Sequence, residues 1–234
     1  MPAADAPLTG FVIAIDGPSG SGKSSVSKQV ARNLGFAFLD TGAMYRSATW
    51  WCLHQGIDLD DEDAVIAATE RLPLTIGTDP DLPEVHVAGT DISVAIRETR
   101  ISEQVSKVAT IIPVREILRR LQRRLISDAG AAKGGVVAEG RDITTVVAPD
   151  APVRILLTAS EEARLARRSR ELHGVADAAS VAATRTQIID RDRADSSVSE
   201  FTVAADGVTT LDTSDLDFAE SVAAVLQIVR AARQ

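Results

Sequence analysis

Apolar residues in this chain fall into two patterns: short continuous runs, and longer stretches where they recur every three or four positions. That is the pattern of buried parallel strands alternating with the helices that cover them. Phe11-Val12-Ile13-Ala14-Ile15-Asp16 is the first run, and it breaks at once into a glycine-rich loop. From Lys23 a helix is predicted, because Val26, Val30, Ala31 and Leu34 recur on one face and Gly35 closes it as a left-handed cap. Phe36-Ala37-Phe38-Leu39 predicts a second strand, so the opening reads as one βαβ unit with its crossover helix. Ligands are expected at the carboxyl ends of such strands.

The pattern changes between Pro73 and Arg100. Pro73, Pro80 and Pro83, the alternating run Glu84-Val85-His86-Val87 and the turn Gly89-Thr90 predict a small antiparallel insertion. Two helices follow, Ile101 to Ile111 and Val114 to Ser127, the second introduced by Pro113. Strands return at Val136-Val137-Ala138 and at Val153 to Leu157. Arginine-rich helices, a last strand Val208 to Leu211 and an amphipathic helix from Asp217 complete the chain. The expected division is a disordered leader over 1–8, an α/β core over 9–72 and 101–234, and the insertion over 73–100.

Composition narrows this picture. At 234 residues with 45% hydrophobic side chains, the chain can bury one α/β core, which excludes a disordered or fibrous protein. Its apolar runs fall short of the roughly 20 residues needed to cross a bilayer, and the N-terminus lacks the basic and apolar regions of a signal peptide, so a soluble, cytoplasmic protein without membrane partners is expected. Cys52 is the only cysteine and sits among Trp50, Trp51 and Leu53, which suits a small buried hydrophobe. A net charge of −8 argues against a nucleic-acid polymer as partner. The chain has only four lysines, Lys23, Lys28, Lys107 and Lys133, and the other cations are arginines gathered in a few segments. Genomic bias could raise the arginine count, but planar forks in local clusters also fit a small phosphorylated ligand.

Gly17-Pro18-Ser19-Gly20-Ser21-Gly22-Lys23-Ser24 matches the phosphate-binding P-loop in full, between a predicted strand and a predicted helix. Its glycines let backbone N–H groups converge on one anion, the helix adds its N-terminal dipole, Lys23 reaches the outer phosphates and Ser24 can ligand Mg²⁺. With Ser25, these residues form the expected ATP site. No Asn-Lys-x-Asp element for reading guanine is present, so ATP is favoured over GTP.

Asp16 to Ser24, Leu39-Asp40-Thr41-Gly42-Ala43-Met44-Tyr45-Arg46, Val114-Arg115, Glu139-Gly140-Arg141-Asp142 and Arg191-Asp192-Arg193-Ala194-Asp195-Ser196 follow one another in an order that resembles the bacterial cytidylate kinases, over nearly the whole chain. The resemblance implies a P-loop three-layer α/β fold with a central parallel sheet, a small inserted NMP-binding domain and an arginine-bearing lid over about 169–195. It implies transfer of the terminal phosphoryl group of ATP to CMP or dCMP, with Mg²⁺, by a monomer. Thr41, Tyr45 and Arg46 would line the monophosphate site, although a tyrosine at a strand exit also packs as plain core. Ser106, Arg115 and Asp142 would read the cytosine, whose N4 amino group gives a carboxylate something to accept from and whose ring nitrogen and O2 accept in turn. Arg141 would bind the acceptor phosphate, though a strand-end Arg-Asp pair can also be a simple salt bridge. Arg191 and Asp195 would complete the acceptor site. Lys23, Arg164, Arg167, Arg168 and Arg191 would stabilise the transferring phosphoryl group, while Arg170, Arg193 and Arg119, Arg120, Arg123 and Arg124 read as solvated.

Two other readings remain open: a P-loop kinase of another small acceptor, such as UMP or shikimate, and a non-catalytic ATP-dependent interaction protein. The chain also departs from the family pattern. Val198 stands where cytidylate kinases carry an arginine that contacts the monophosphate, so Arg191 or Arg193 is expected to supply the missing charge.

Overall fold

The computed structural model describes residues 7–175 and 177–234. The chain opens with β1 (Phe11–Asp16), α1 (Lys23–Leu34), β2 (Ala37–Asp40), α2 (Thr41–His54) and α3 (Glu62–Glu70). β3 (Leu74–Ile76), β4 (Val85–Val87) and β5 (Thr90–Asp91) then form a separate three-stranded antiparallel sheet. α4 (Thr99–Ala109), α5 (Ile112–Lys133), β6 (Gly135–Gly140) and β7 (Val153–Thr158) return to the core. α6 (Glu161–His173), α7 (Ala178–Asp195), β8 (Thr209–Asp212) and α8 (Phe218–Ala231) complete it.

The five core strands are parallel and run in the order β2-β6-β1-β7-β8. β1 and β2 are therefore not neighbours, as a simple opening βαβ unit would have them. β6 lies between, with Glu139 opposite both Ile15 on β1 and Asp40 on β2. The sheet is buried on both faces because its strands are apolar on both sides: Ile13, Ile15, Val137 and Ile155 pack with α1 and α8, while Val12, Ala14, Leu39 and Ala138 pack with α5. A third apolar cluster joins α2, α3 and α5 around Cys52, which is fully buried, and that burial pushes its thiol up to about 11.

α5 is longer than the sequence pattern predicts, starting at Ile112 with Pro113 inside its first turn and running to Lys133. Gly130 in this extension lets the chain near Thr9 pass close against the helix, since a Cβ there would meet the carbonyl oxygen of Thr9 at 2.0 Å. Residues 1–6 of the expected disordered leader lie outside the described residues. Leu8, its last residue, packs against the core face of α5. Among the described residues no helix is long and apolar enough to cross a membrane.

Candidate active site

The carboxyl ends of β1, β2 and β6 converge on one cleft. Gly22, with φ of 90°, turns the chain from β1 into α1, so the loop over 17–22 wraps the N-terminus of that helix. Lys23 Nζ donates to the Pro18 carbonyl (3.2 Å). Ser24 Oγ donates to Glu139 Oε1 (2.5 Å), and Asp40 lies on the far side of that carboxylate. Burial, and after it the positive charge of Arg141, pulls the Lys23 ammonium down to about 8. Burial, then the neighbouring Asp40, pushes the Glu139 carboxyl up. Asp40 caps α2 through the Ala43 N–H (2.8 Å) and pairs with Arg46 (2.8 Å). Burial alone would raise its carboxyl, but Arg46 and then Arg97 outweigh that and hold it below the ordinary value.

The turn after β6 carries Asp142, one of the expected base-reading residues, and Asp16 holds it in place. The Asp16 carboxylate accepts from the N–H of Ile143 (2.9 Å) and from both the N–H and the hydroxyl of Thr144 (2.7 Å each). Its pKa is nonetheless raised to about 6, because burial outweighs these donors. One residue before this clamp, Asp142 pairs with Arg115 of α5, which also donates to the Ala109 carbonyl (2.9 Å) and to Ser199 Oγ (2.6 Å). The Tyr45 ring faces the Arg115 guanidinium at 5.7 Å, and burial pushes its phenol up, so this tyrosine packs and also lines the cavity. Ser106, expected beside Arg115 and Asp142, donates instead to Asp195 (3.0 Å). Thr41 lines the same cavity but spends its hydroxyl proton on the Glu139 carbonyl (2.8 Å).

α6 and α7 close the cleft from the other side. Arg141 gathers the parts together, donating to Asp195 (2.7 Å), the Gly17 carbonyl (2.7 Å), Ser19 Oγ (2.6 Å) and Asp192 (3.0 Å). Asp192 also accepts from the Ser19 N–H of the P-loop (3.0 Å) and from Arg164 (2.5 Å), so a carboxylate of α7 sits where a phosphate oxygen would be welcome. Arg164 and Gly20 fix this docking at close range: Gly20 has φ of 76°, and a Cβ there would lie 2.7 Å from the Arg164 carbonyl oxygen. Arg191 lies deep in the cleft at 3.6 Å from Asp195, and burial, then Arg141, lowers its guanidinium to about 10. For Asp195, burial works upward and is outweighed by Arg141 and Arg191, leaving its carboxyl below the ordinary value.

Two arginine expectations change. Arg167 turns behind the P-loop and donates to the carbonyls of Ser21 (3.2 Å), Thr213 (2.5 Å) and Leu216 (3.2 Å) and to Thr213 Oγ1 (3.0 Å). With these donors on Ser21, Thr213 and Leu216 it ties α6 to the P-loop and to the turn after β8, and it is not among the residues lining the acceptor-side cavity. Arg193 is 79% exposed and pairs with Asp190 at 3.9 Å, so it does not stand in for a cation at Val198. Arg168 is half-buried on α6 beside Arg167. Of the α5 arginines expected to be solvated, Arg123 is half-buried and donates to the Val147 carbonyl (2.5 Å).

The cleft between Thr41, Tyr45, Arg141, Asp142, Arg191 and Asp195 keeps only about 40 Å³ of open space. Sites for ligands of drug size measure about 300–1,000 Å³, so the cleft as it stands is smaller than a nucleotide site. Glu139, Asp192 and Ser199 belong to this site and were missed as functional residues from sequence. Glu139 and Asp192 fall within the quoted segments, yet nothing in the linear pattern puts either beside the P-loop.

A P-loop on a five-stranded parallel sheet, a second anion site at the next strand ends and an arginine-bearing helical pair above both define a P-loop kinase of a small phosphorylated acceptor. The family model for cytidylate kinase matches residues 13–231. Cytidylate kinases of Streptomyces avermitilis and Streptomyces coelicolor are 46% and 47% identical to this chain, in each case over 95% of it and 94% of the relative. A third, from Corynebacterium efficiens, is 42% identical over 97% of this chain and 98% of its own. The chain belongs to the cytidylate kinase family.

Proposed function

We propose that this protein carries out its family's reaction, transfer of the terminal phosphoryl group of ATP to CMP or dCMP to give ADP and CDP or dCDP, with its residues in the following roles. The P-loop from Gly17 to Ser25 and Lys23 hold the ATP phosphates. Arg115 and Asp142 read the base, with Ser106 reaching it only once Asp195 is engaged elsewhere. Arg46, Arg141 and Arg191 receive the acceptor phosphate. Arg164, released from Asp192, joins Lys23 at the transferring group, and Arg168 stands next in line on the same helix face.

One observation carries this reading. Among the described side chains, Arg46 Nε and Arg191 Nε are buried without a hydrogen-bond acceptor. A buried donor left unmade costs about 1–3 kcal/mol, and an incoming phosphate would satisfy both. Arg191 lines the same cavity as Asp142, whose carboxylate suits an exocyclic amino group and opposes a carbonyl at the same place.

Mg²⁺ fits the donor set at the mouth of the P-loop. The Ser24 hydroxyl and the Glu139 carboxylate touch, Asp40 is adjacent, and hard oxygen donors of this kind are what the ion prefers. Bound there, it would supply positive charge that offsets the negative charge of the ATP phosphates. The chain's own contribution is position and charge. Arg141 and Arg164 exchange the carboxylates of Asp195 and Asp192 for phosphate oxygens, so few new desolvation costs arise when substrate enters. The acceptor is already an anion and needs no strong base. Over the cleft, α7 excludes water, which favours transfer to CMP over hydrolysis. The proposal includes a monomeric, cytoplasmic enzyme with ATP and CMP or dCMP as its partners.

The test is ADP release measured side by side with CMP, dCMP, UMP and AMP. CMP and dCMP should be preferred by at least about tenfold in kcat/KM. Equal rates with UMP would reject the base reading, and ADP release indifferent to any acceptor would reject the kinase.

A further inference from the structure

The segment leaving α7 is where this chain lacks the arginine expected at 198. Val198 is half-buried and neutral, but two side chains just beyond it touch the acceptor site. Ser199 lines the cavity, and its Oγ accepts from Arg115 Nη2 at 2.6 Å, the same nitrogen that bonds Asp142. Phe201 is buried to 1% exposure, with its ring 4.4 Å from the guanidinium carbon of Arg141. Glu200 between them faces outward and locks the segment, its carboxylate accepting from the Thr202 N–H and hydroxyl and from the Val203 N–H.

We propose that Ser199 and Phe201 are positioning residues of the acceptor site, Ser199 holding Arg115 against the base-reading carboxylate and Phe201 holding Arg141 where the acceptor phosphate arrives. The proposal rests on the acceptor reading given above. Its physical basis is how an arginine can be held without being neutralised. A free guanidinium on its long stem carries rotamer entropy that binding must remove. A carboxylate restrains it but competes with the incoming phosphate, as Asp192 and Asp195 do here. An aromatic face restrains it from one side and leaves all five N–H donors in the plane available. A serine hydroxyl likewise accepts one bond without cancelling charge. With no cation at 198, the remaining arginines must be well aimed, and this segment supplies the aim through neutral contacts.

The experiment uses the full-length enzyme with ATP, CMP and UMP, and four variants: Ser199→Ala, Ser199→Thr, Phe201→Leu and Phe201→Met. Ser199→Ala should lower the CMP-over-UMP ratio of kcat/KM by about threefold or more, and Ser199→Thr, which restores the hydroxyl, should recover it. Phe201→Leu should raise KM for CMP and UMP alike by about fivefold. KM for ATP should shift less than KM for CMP in every variant. Because Phe201 is fully buried, Phe201→Met fills the same space without a ring and replaces Phe201→Leu if the latter does not fold. Folded Ser199→Ala and ringless variants with wild-type acceptor constants would overturn the proposal, and so would equal shifts in the ATP and CMP constants. A wild-type enzyme inactive with CMP rejects the acceptor reading itself, whereas an active wild type with unaffected variants rejects only the positioning roles.

Discussion

Replacing Asp142 by asparagine isolates the base-reading interaction, because the side chain keeps its shape and loses its charge. Asp142 is only 10% exposed at the side chain and Arg115 only 15%, so the pair is little screened by solvent. A hydrogen bond to a charged acceptor in such a setting contributes about 1.5–3 kcal/mol, which corresponds to roughly 10- to 150-fold in kcat/KM for CMP. UMP should be affected in the opposite sense, since an amide can donate to the uracil carbonyl that the carboxylate opposes. The fold should survive, because Arg115 keeps the Ala109 carbonyl and Ser199 Oγ as acceptors. A cost of about 1 kcal/mol would lower Tm by only about 2–4 °C in a protein of this size. The assay is ADP release with CMP and UMP at saturating ATP, with Tm measured alongside. KM for ATP should not move, since none of the hydrogen bonds described for Asp142 goes to the P-loop. A folded Asp142→Asn enzyme whose CMP-to-UMP ratio stays within about twofold of wild type would refute the assignment.

Lys23, pulled down to about 8 by burial, should lose its proton over the range above pH 7, and ATP phosphates should return it to the charged form. ATP binding should therefore take up about 0.7 proton at pH 8.5 and about 0.1 at pH 7, read by calorimetry in buffers of different ionisation enthalpy; an uptake that does not grow with pH contradicts it. Glu139→Gln removes the charge opposite Ser24 and should raise the Mg²⁺ concentration needed for half-maximal rate by about tenfold or more; an unchanged Mg²⁺ dependence would remove Glu139 from the metal site. Arg191→Ala should raise KM for CMP by about tenfold or more with a smaller effect on ATP, while Arg193→Ala, on an exposed side chain, should leave both constants as they are. A strong CMP effect from Arg193 would mean that α7 rotates on binding.

The Val198 departure illustrates how linear reading and folding divide the problem. From sequence, the missing cation calls for a substitute nearby, and both Arg191 and Arg193 are close. They lie two residues apart on one helix, and a helix turns about 100° per residue, so the two side chains cannot share a face. Arg191 faces the cleft beside Asp195, and Arg193 faces solvent. Arg164 and Arg167, three residues apart and so on one face of α6, still meet different partners: Arg164 reaches Ser19 and Asp192, and Arg167 the carbonyls of Ser21, Thr213 and Leu216.

What the sequence determined by itself is everything that depends on local order. The P-loop, its strand and its helix are adjacent in the chain, so spacing and periodicity suffice to define them. The arginine clusters, the Glu-Gly-Arg-Asp turn and the Asp-Thr-Gly-Ala-Met-Tyr-Arg segment were visible in the same way, and together they point to a second anionic substrate. Strand order was left to the tertiary structure, because parallel strands joined by helices carry no sign of which neighbour each will take. Inserting β6 between β1 and β2 brings Glu139 to Ser24 and the Arg141–Asp142 turn to Asp16, joining the donor and acceptor sites through side chains more than a hundred residues apart. The docking of Asp192 on the P-loop, and of Ser199 and Phe201 on the two arginines, is likewise a product of packing. These contacts depend on how α7 and the segment after it pack over the cleft, and a hydrophobic pattern encodes which face of a helix is buried but not which polar groups it will meet.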